Sequence, residues 1–195
     1  TTTVAGGWQT LTFDFANQAS GTAAFNDAFN YNKASVFFAF GSNGSGKTYY
    51  FDDVAYAEAP IGTPAPTPTP VNSTVHVTFD SGDISGYALG GAQDFGGSGS
   101  SLATSPPAGG SGQAAQVVKS VGAETWAGTT FLTLGSSELI ANASKTVTMR
   151  VWSPDAGTVV RLKIEDAADA THSVETDATT TVAGGWQTLT FDFAN

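Results

Sequence analysis

The chain has no cysteine and only one methionine, and lysine and arginine together number seven in 195 residues. The absence of cysteine excludes disulfides, thiolate metal ligands and cysteine nucleophiles. The 17 aspartates and glutamates bring the net charge to −10, which repels nucleic-acid phosphates and anionic lipid surfaces. No apolar run reaches the ~18 residues of a membrane helix. We therefore expect neither nucleic acid nor a membrane as a partner.

One segment, TTTVAGGWQTLTFDFAN, occurs twice without a change, at Thr1–Asn17 and at Thr179–Asn195. The distance between the copies is far longer than the roughly 20–50 residues of solenoid and propeller repeats and matches a whole domain. The repeat therefore predicts a tandem array of identical modules, of which this chain covers slightly more than one period.

The boundaries of the module follow from the repeat and from a proline/threonine stretch. Five of the eight prolines lie in PIGTPAPTPTP, Pro60–Pro70, a composition that favours extended polyproline II over helix or sheet. We predict a linker at residues 58–72, the C-terminal part of one repeat module at 1–57 and the N-terminal part of the next at 73–195. Residues 73–195 together with 18–57 would make one full sandwich.

Strand signals dominate outside the linker, and no segment favours a helix. Short stretches rich in β-branched and aromatic residues are separated by Gly, Ser, Asn and Asp. Strands are predicted at 35–40, 48–56, 75–79, 115–119, 129–134, 146–152, 159–164, 173–177 and 187–193. The glycine-rich stretches 41–46 and 90–112 are predicted to be turns and long loops. This pattern predicts an all-β chain folded as an antiparallel β-sandwich, with a jelly roll as the expected topology.

The duplicated segment is itself a predicted core strand. Leu189, Phe191 and Phe193 alternate with polar residues, as the side chains of a half-buried strand do. Both copies would compete for one place in a single module. We hypothesise that the two halves of the chain either complete one sandwich or exchange strands with neighbouring copies of the same repeat.

Three stretches resemble the galactose-binding-like jelly rolls of carbohydrate-binding modules, nearest to families 4 and 9. They are VTMRVWSP (Val147–Pro154), the segment Val159–Phe193 and KTYYFDDVAY (Lys47–Tyr56). The resemblance implies a non-catalytic module that binds a β-glucan-type polysaccharide within a secreted, multimodular protein. An extracellular or cell-surface location is therefore expected. The alternative is a structural surface or filament protein of identical β-sandwich beads joined by strand exchange.

Sugar binding requires flat aromatic rings for the C–H faces of the sugar and polar groups for its hydroxyls. Trp126 lies in the polar stretch GAETWAG and is expected at the rim of the site. Trp152 ends a strand beside Pro154, so a cap of the sandwich is its first interpretation and a sugar platform its second. Alternation predicts one polar face on adjacent strands, shared by Arg150, Trp152, Arg161, Lys163, Glu165 and Glu175, although cross-strand ion pairs are ordinary on sheets. The candidate binding residues are Trp126, Trp152, Arg150, Arg161, Lys163, Glu165 and Glu175.

Catalysis is not expected from this set of residues. A glycosidase needs two facing carboxylates, one of which acts as an acid. Arg161 and Lys163 would lower the pKa of Glu165 and Glu175, which spoils a general acid.

A structural Ca²⁺ is implied by the resemblance, in which carboxylates near the first and last strands bind the ion. The matching places are FDSGD, with Asp80 and Asp83, and FDDV, with Asp52 and Asp53. Hard oxygen ligands suit Ca²⁺. The pairing of Asp80 with Asp52 is favoured, and the alternative is that these are exposed turn aspartates.

The stretch Gly41–Thr48 matches the phosphate-loop pattern GxxxxGK[ST]. That loop binds phosphate because it opens a helix. Here Thr48 leads directly into a predicted strand, so we interpret the glycines as a connection between strands and expect no nucleotide.

Overall fold

The computed structural model describes residues 19–56, 75–110, 112–135, 138–140 and 145–193. The first copy of the repeated segment and the linker 58–72 lie outside these residues. The strands are β1 (Lys33–Phe38), β2 (Lys47–Tyr56), β3 (Val75–Val77), β4 (Asp94–Phe95), β5 (Ser98–Ala103), β6 (Ala114–Lys119), β7 (Gly128–Thr133), β8 (Thr146–Ser153), β9 (Val159–Asp166), β10 (Asp169–Thr179) and β11 (Gly185–Asp192). A single 3₁₀ turn, Gly91–Gln93, is the one helical element of the described part.

The strands form two antiparallel sheets. One sheet has the order β10-β9-β1-β7-β4, and the other has the order β11-β8-β2-β6-β5 with β3 paired to β2. The connections from β1 to β2, from β7 to β8 and from β8 to β9 cross between the sheets, as in a jelly roll. The predicted antiparallel β-sandwich is confirmed.

Strands from before the linker occupy central places in both sheets. β1 lies between β9 and β7, and β2 lies between β8 and β6. Both β1 and β2 are therefore hydrogen-bonded on each side to strands that follow the linker in the chain. No helix in the described residues is long and apolar enough to cross a membrane.

The core lies between the sheets and follows the alternation of the sequence. Apolar side chains of β8 and β9, such as Met149 and Leu162, are fully buried, while their sequence neighbours point outward. In β11, the second copy of the repeated segment, Leu189 and Phe191 are also fully buried. Each fully buried side chain of this size contributes about 1.5–3 kcal/mol relative to an exposed one, so this segment is an integral part of the core.

Two strands were not predicted. β4 and β5 lie within the glycine-rich stretch 90–112, whose composition predicts turns and loops. The composition of β5, SGSSLA, has little β propensity, and the strand forms because its backbone pairs with β6 from Ser98 to Ala103. Tertiary pairing overrides weak local preference here.

Candidate functional site

The candidate site lies on the outer face of the five-stranded sheet. Register places its side chains in rows that run across the strands. In one row Glu165 of β9 is opposite Lys33 of β1. In the next, Lys163 lies between Glu175 of β10 and Ser35 of β1. Because directly opposite side chains in a sheet are close neighbours, each row brings opposite charges together.

Glu165 anchors the first row. Its carboxylate is 2.7 Å from the Lys33 ammonium and also pairs with the Lys163 ammonium. Burial acts to raise the pKa of Glu165, but the hydrogen bonds and charges of Lys163 and Lys33 outweigh burial and hold the pKa below its ordinary value. Glu165 is therefore an ionised carboxylate that binds two lysines.

Arg161 forms a second charged cluster on the same face. Its guanidinium binds Asp177 through Nε at 2.7 Å and Nη2 at 2.8 Å, and it binds Glu175 through Nη1 at 2.9 Å. It also lies 3.7 Å from the ring centroid of Phe40. Burial acts to lower the pKa of Arg161, yet the two carboxylates raise it above its ordinary value, so the cation is fixed in place.

Aromatic rings form one wall of the site. Phe37 contacts Phe40 edge to face with a centroid distance of 5.8 Å, and it contacts Phe95 at 5.5 Å. Phe95 in turn stacks on Trp126 at 6.3 Å with an interplanar angle of 15°. Trp126 is 50% exposed. The indole is thus supported on one side by a phenyl ring and open to solvent on the other.

Glycines make room for this wall. A Cβ on Gly128 would lie 2.8 Å from Cδ1 of Phe37 and 3.0 Å from Cζ of Phe95. A Cβ on Gly96, whose φ of 65° is left-handed, would lie 3.1 Å from the Trp126 ring. The first distance is shorter than real Cβ contacts, and the other two are tighter than most of them, so these glycines leave space that the rings use.

The loop that carries Trp126 is held by backbone hydrogen bonds. The Glu124 amide donates to the Gly96 carbonyl at 2.8 Å, and the Gly44 amide donates to the Ala123 carbonyl at 2.8 Å. A Cβ on Gly44 would lie 1.9 Å from the Ser120 carbonyl oxygen. The glycine-rich stretch 41–46 therefore packs closely against the Trp126 loop, and it is followed by strand β2, as predicted, rather than by a helix.

These side chains enclose an open groove of about 520 Å³. Its floor is polar, with the Ser35 and Thr130 hydroxyls 2.9 Å apart. Charged, hydroxyl and aromatic side chains line it together with two alanines. The groove is lined by Lys33, Ser35, Phe37, Phe40, Ala92, Phe95, Trp126, Thr130, Lys163, Glu165, Ala170 and Glu175.

The structure brings together part of the predicted set. Trp126, Lys163, Glu165 and Glu175 all line the groove, and Arg161 lies beside it, against Phe40.

The expectation that Arg150 and Trp152 share this face is wrong. Both lie on β8, which belongs to the other sheet. Arg150 binds the Asp53 carboxylate at 3.0 Å and the Gly109 carbonyl at 2.9 Å, and Trp152 packs edge to face on Tyr50. Alternation identifies which residues point outward, but it does not say which of the two sheets a strand joins.

Several groove residues were missed by the sequence analysis, namely Lys33, Ser35, Phe37, Phe40, Phe95 and Thr130. A signal existed for β1, in which Lys33, Ser35 and Phe37 alternate with buried apolar residues in the same way as the residues of β9. No sequence pattern indicated that Phe95 lies in the groove, because its position depends on β4, a strand that the sequence does not predict.

The candidate calcium ligands lie elsewhere, around the six-stranded sheet. Asp52 is 1% exposed. Burial raises its pKa to about 7, with further increases from the charges of Asp53 and Asp80, against the opposing effects of the Asp53 amide and Arg150. Asp52 and Asp80 are thus close enough to interact electrostatically.

The remaining aspartates already bind protein groups. Both oxygens of Asp83 accept backbone amides, from Thr78 and Phe79 at 2.8 Å and from Ser85 at 2.7 Å. Within the described ranges, no group of three or more His, Cys, Asp and Glu side chains is placed to hold a metal ion. Because Ca²⁺ takes about six to eight oxygen ligands, the described carboxylates do not by themselves make a calcium site, and calcium remains a prediction.

Comparisons of the chain with protein-family models, curated proteins and solved structures give no match.

Proposed function

We propose that this chain is a non-catalytic carbohydrate-binding module whose groove binds a β-glucan-type polysaccharide. The observation that carries the proposal is the juxtaposition of a half-exposed indole, Trp126, with a row of charged and hydroxyl groups along one open groove. Sugars present apolar C–H faces and hydroxyl edges at once. A site that binds them therefore needs both kinds of surface side by side.

The two parts of the groove suit the two faces of a pyranose. The Trp126 ring offers a flat surface that Phe95 supports from behind. Lys33, Lys163 and Glu175 offer donors and acceptors whose positions are set by their ion pairs. Fixed polar groups lose little conformational entropy when a ligand binds, so the ion pairs favour recognition of hydroxyls.

The electrostatics of the groove support binding without catalysis. Glycoside hydrolysis needs a carboxylic acid that is still protonated near neutral pH. Lysines hold the pKa of Glu165 below its ordinary value, and Glu175 accepts a hydrogen bond from Arg161. Both carboxylates are therefore suited to accepting hydrogen bonds from hydroxyls.

The repeated segment and the proline/threonine linker support a place in a multimodular extracellular or cell-surface protein. Tandem copies would retain a polysaccharide by raising the effective concentration of sites, with no new contacts in any one module.

A glycan array tests the proposal. The wild-type chain should bind one class of β-glucan oligosaccharide, and Trp126→Ala should abolish the signal. The proposal is wrong if the folded wild-type protein binds no glycan, or if Trp126→Ala binds as strongly as the wild type.

A second function is favoured by the edge position of β11 in its sheet. Because this strand is the second copy of an exact repeat, another copy of the segment fits the same place, and identical beads joined by strand exchange would form a surface filament. The solution mass distinguishes the two functions. Filament formation predicts concentration-dependent polymers that bind no sugar, whereas a sharp monomer argues against exchange.

A further inference from the structure

Lys119 is a buried lysine at the end of β6. It is 2% exposed and points into the space between the sheets, in register with buried Ala115 and Val117. Its ammonium donates hydrogen bonds to three backbone carbonyls, those of Phe38 at 3.2 Å, Ala39 at 3.1 Å and Thr125 at 3.3 Å. In the described part of the chain it forms no ion pair with a carboxylate.

The three carbonyls belong to two separate segments of the chain. Phe38 is the last residue of β1 and Ala39 follows it, immediately before Phe40, whereas Thr125 comes immediately before Trp126. The Gly41 amide also donates to the Thr125 carbonyl, at 3.1 Å. Lys119 therefore connects the backbones that carry two aromatic residues of the groove.

The backbone near Phe40 is strained in a way that matches this connection. Ala39 has a φ of 49°, in the left-handed region that a residue with a side chain rarely adopts. The carbonyls of Phe38 and Ala39 both reach the Lys119 ammonium. A conformation of this kind is unfavourable for a residue with a Cβ, and it persists only where surrounding contacts enforce it.

We infer that Lys119 is a positioning residue for the groove: by binding the carbonyls of Phe38, Ala39 and Thr125 it fixes Phe40 and Trp126 relative to each other. The effect on sugar binding rests on the proposed function, whereas the effect on the two loops does not. An apolar residue of similar size would fill the same space and stabilise the core more, because it carries no charge that must leave water. Burial of the charged ammonium accordingly lowers the pKa of Lys119. The lysine instead holds the two loops at a fixed spacing.

The test uses Lys119→Met, which keeps the stem and removes the three donors, and Val117→Ala as a matched control on the same buried face of β6. The first readout is the indole N–H signal of Trp126 in ¹H–¹⁵N spectra without ligand. It should move in Lys119→Met while the signals of Trp152 and Trp186 stay, and it should stay in Val117→Ala. The second readout is affinity for the oligosaccharide that the wild type binds, which should fall about tenfold only in Lys119→Met.

Lys119→Gln, which keeps a shorter donor, replaces Lys119→Met if the latter does not fold, and it should give a smaller change in the same signal. An unmoved Trp126 signal in whichever variant folds would overturn the inference, as would an equal change in Val117→Ala. If the wild type binds no glycan, the proposed function fails, and the spectra alone still decide whether Lys119 positions the loops.

Discussion

The guanidinium of Arg161 lies 3.7 Å from the centroid of the Phe40 ring while it forms a two-pronged ion pair with Asp177. Arg161 thus connects the charged rows of the sheet to the aromatic wall of the groove. Among the described residues, its Nε and both Nη atoms donate hydrogen bonds to two carboxylates, and the guanidinium lies against one ring. These contacts give Arg161 a supporting role in the groove.

Replacing Arg161 with Met should lower the free energy of unfolding by about 2–3 kcal/mol, because Asp177 and Glu175 would lose their cation in a partly buried position. Arg161→Lys keeps the charge but not the planar fork, and it should fall between Met and the wild type. Urea denaturation measures both. If Arg161→Met is as stable as the wild type, the ion pairs of Arg161 with Asp177 and Glu175 contribute nothing to the free energy of unfolding.

Asp52 should make stability depend on pH. Burial raises its pKa to about 7 in the folded protein, from an ordinary value of 3.8, so between these values the folded state binds a proton that the unfolded state has lost. The free energy of unfolding therefore decreases as pH rises from about 4 to about 7, and it changes little above that. Asp52→Asn removes this loss and should be about 2–4 kcal/mol more stable than the wild type at pH 8 and about equal at pH 4.

Urea denaturation of the two proteins with chelator present measures this difference, and equal pH profiles would contradict it.

The wild type and Asp52→Asn also test the predicted calcium site. If Asp52 binds Ca²⁺, added calcium should raise the melting temperature of the wild type and leave that of Asp52→Asn unchanged. No shift in the wild type would remove calcium from the account.

Gly128→Ala should disturb the aromatic wall. The new Cβ would lie 2.7 Å from the Val36 carbonyl oxygen and 2.8 Å from Cδ1 of Phe37, and overpacking of this kind costs about 1–3 kcal/mol. Gly99→Ala on β5 is the matched control, because its Cβ meets no atom within 4 Å. Thermal unfolding should show a loss in Gly128→Ala only. If Gly128→Ala melts at the same temperature as the wild type and Gly99→Ala, the aromatic wall is loosely packed around Gly128.

A circular permutant should fold if 73–195 and 18–57 form one module in that order. The Phe193 amide donates to the Lys145 carbonyl at 2.7 Å, and the Lys145 ammonium lies 4.5 Å from the centroid of the Phe25 ring. The end of β11 is therefore close to residues that follow the first copy of the repeat. Joining Asn195 to Gln18 and opening the chain at 58–72 should preserve the circular dichroism spectrum and a cooperative melt. A permutant that remains unfolded would contradict the predicted module.

The sequence predicted the fold well wherever strands alternate strongly. The buried faces of β8, β9 and β11 were all visible as alternating apolar residues, because a sheet with one buried face imposes that period. β4 and β5 were missed because their backbone pairing, and not their side chains, makes them strands.

The groove could be predicted only in part. Lys163, Glu165 and Glu175 were expected together because β9 and β10 are consecutive strands with matching alternation. Arg150 was assigned to the same face in error, since the sheet that each strand joins depends on long-range pairing. Lys119 was missed for a related reason, because no local pattern shows that a lysine in a strand points inward.

Isothermal titration of the best-binding β-glucan oligosaccharide into Trp126→Ala and Trp152→Ala tests the central claim most directly. Both variants remove one indole, but Trp126 lies at the groove and Trp152 lies on the opposite sheet. Loss of a stacking platform should weaken binding about tenfold or more in Trp126→Ala, with Trp152→Ala within about twofold of the wild type. Unchanged affinity in Trp126→Ala, or a loss confined to Trp152→Ala, would contradict the assignment of the groove.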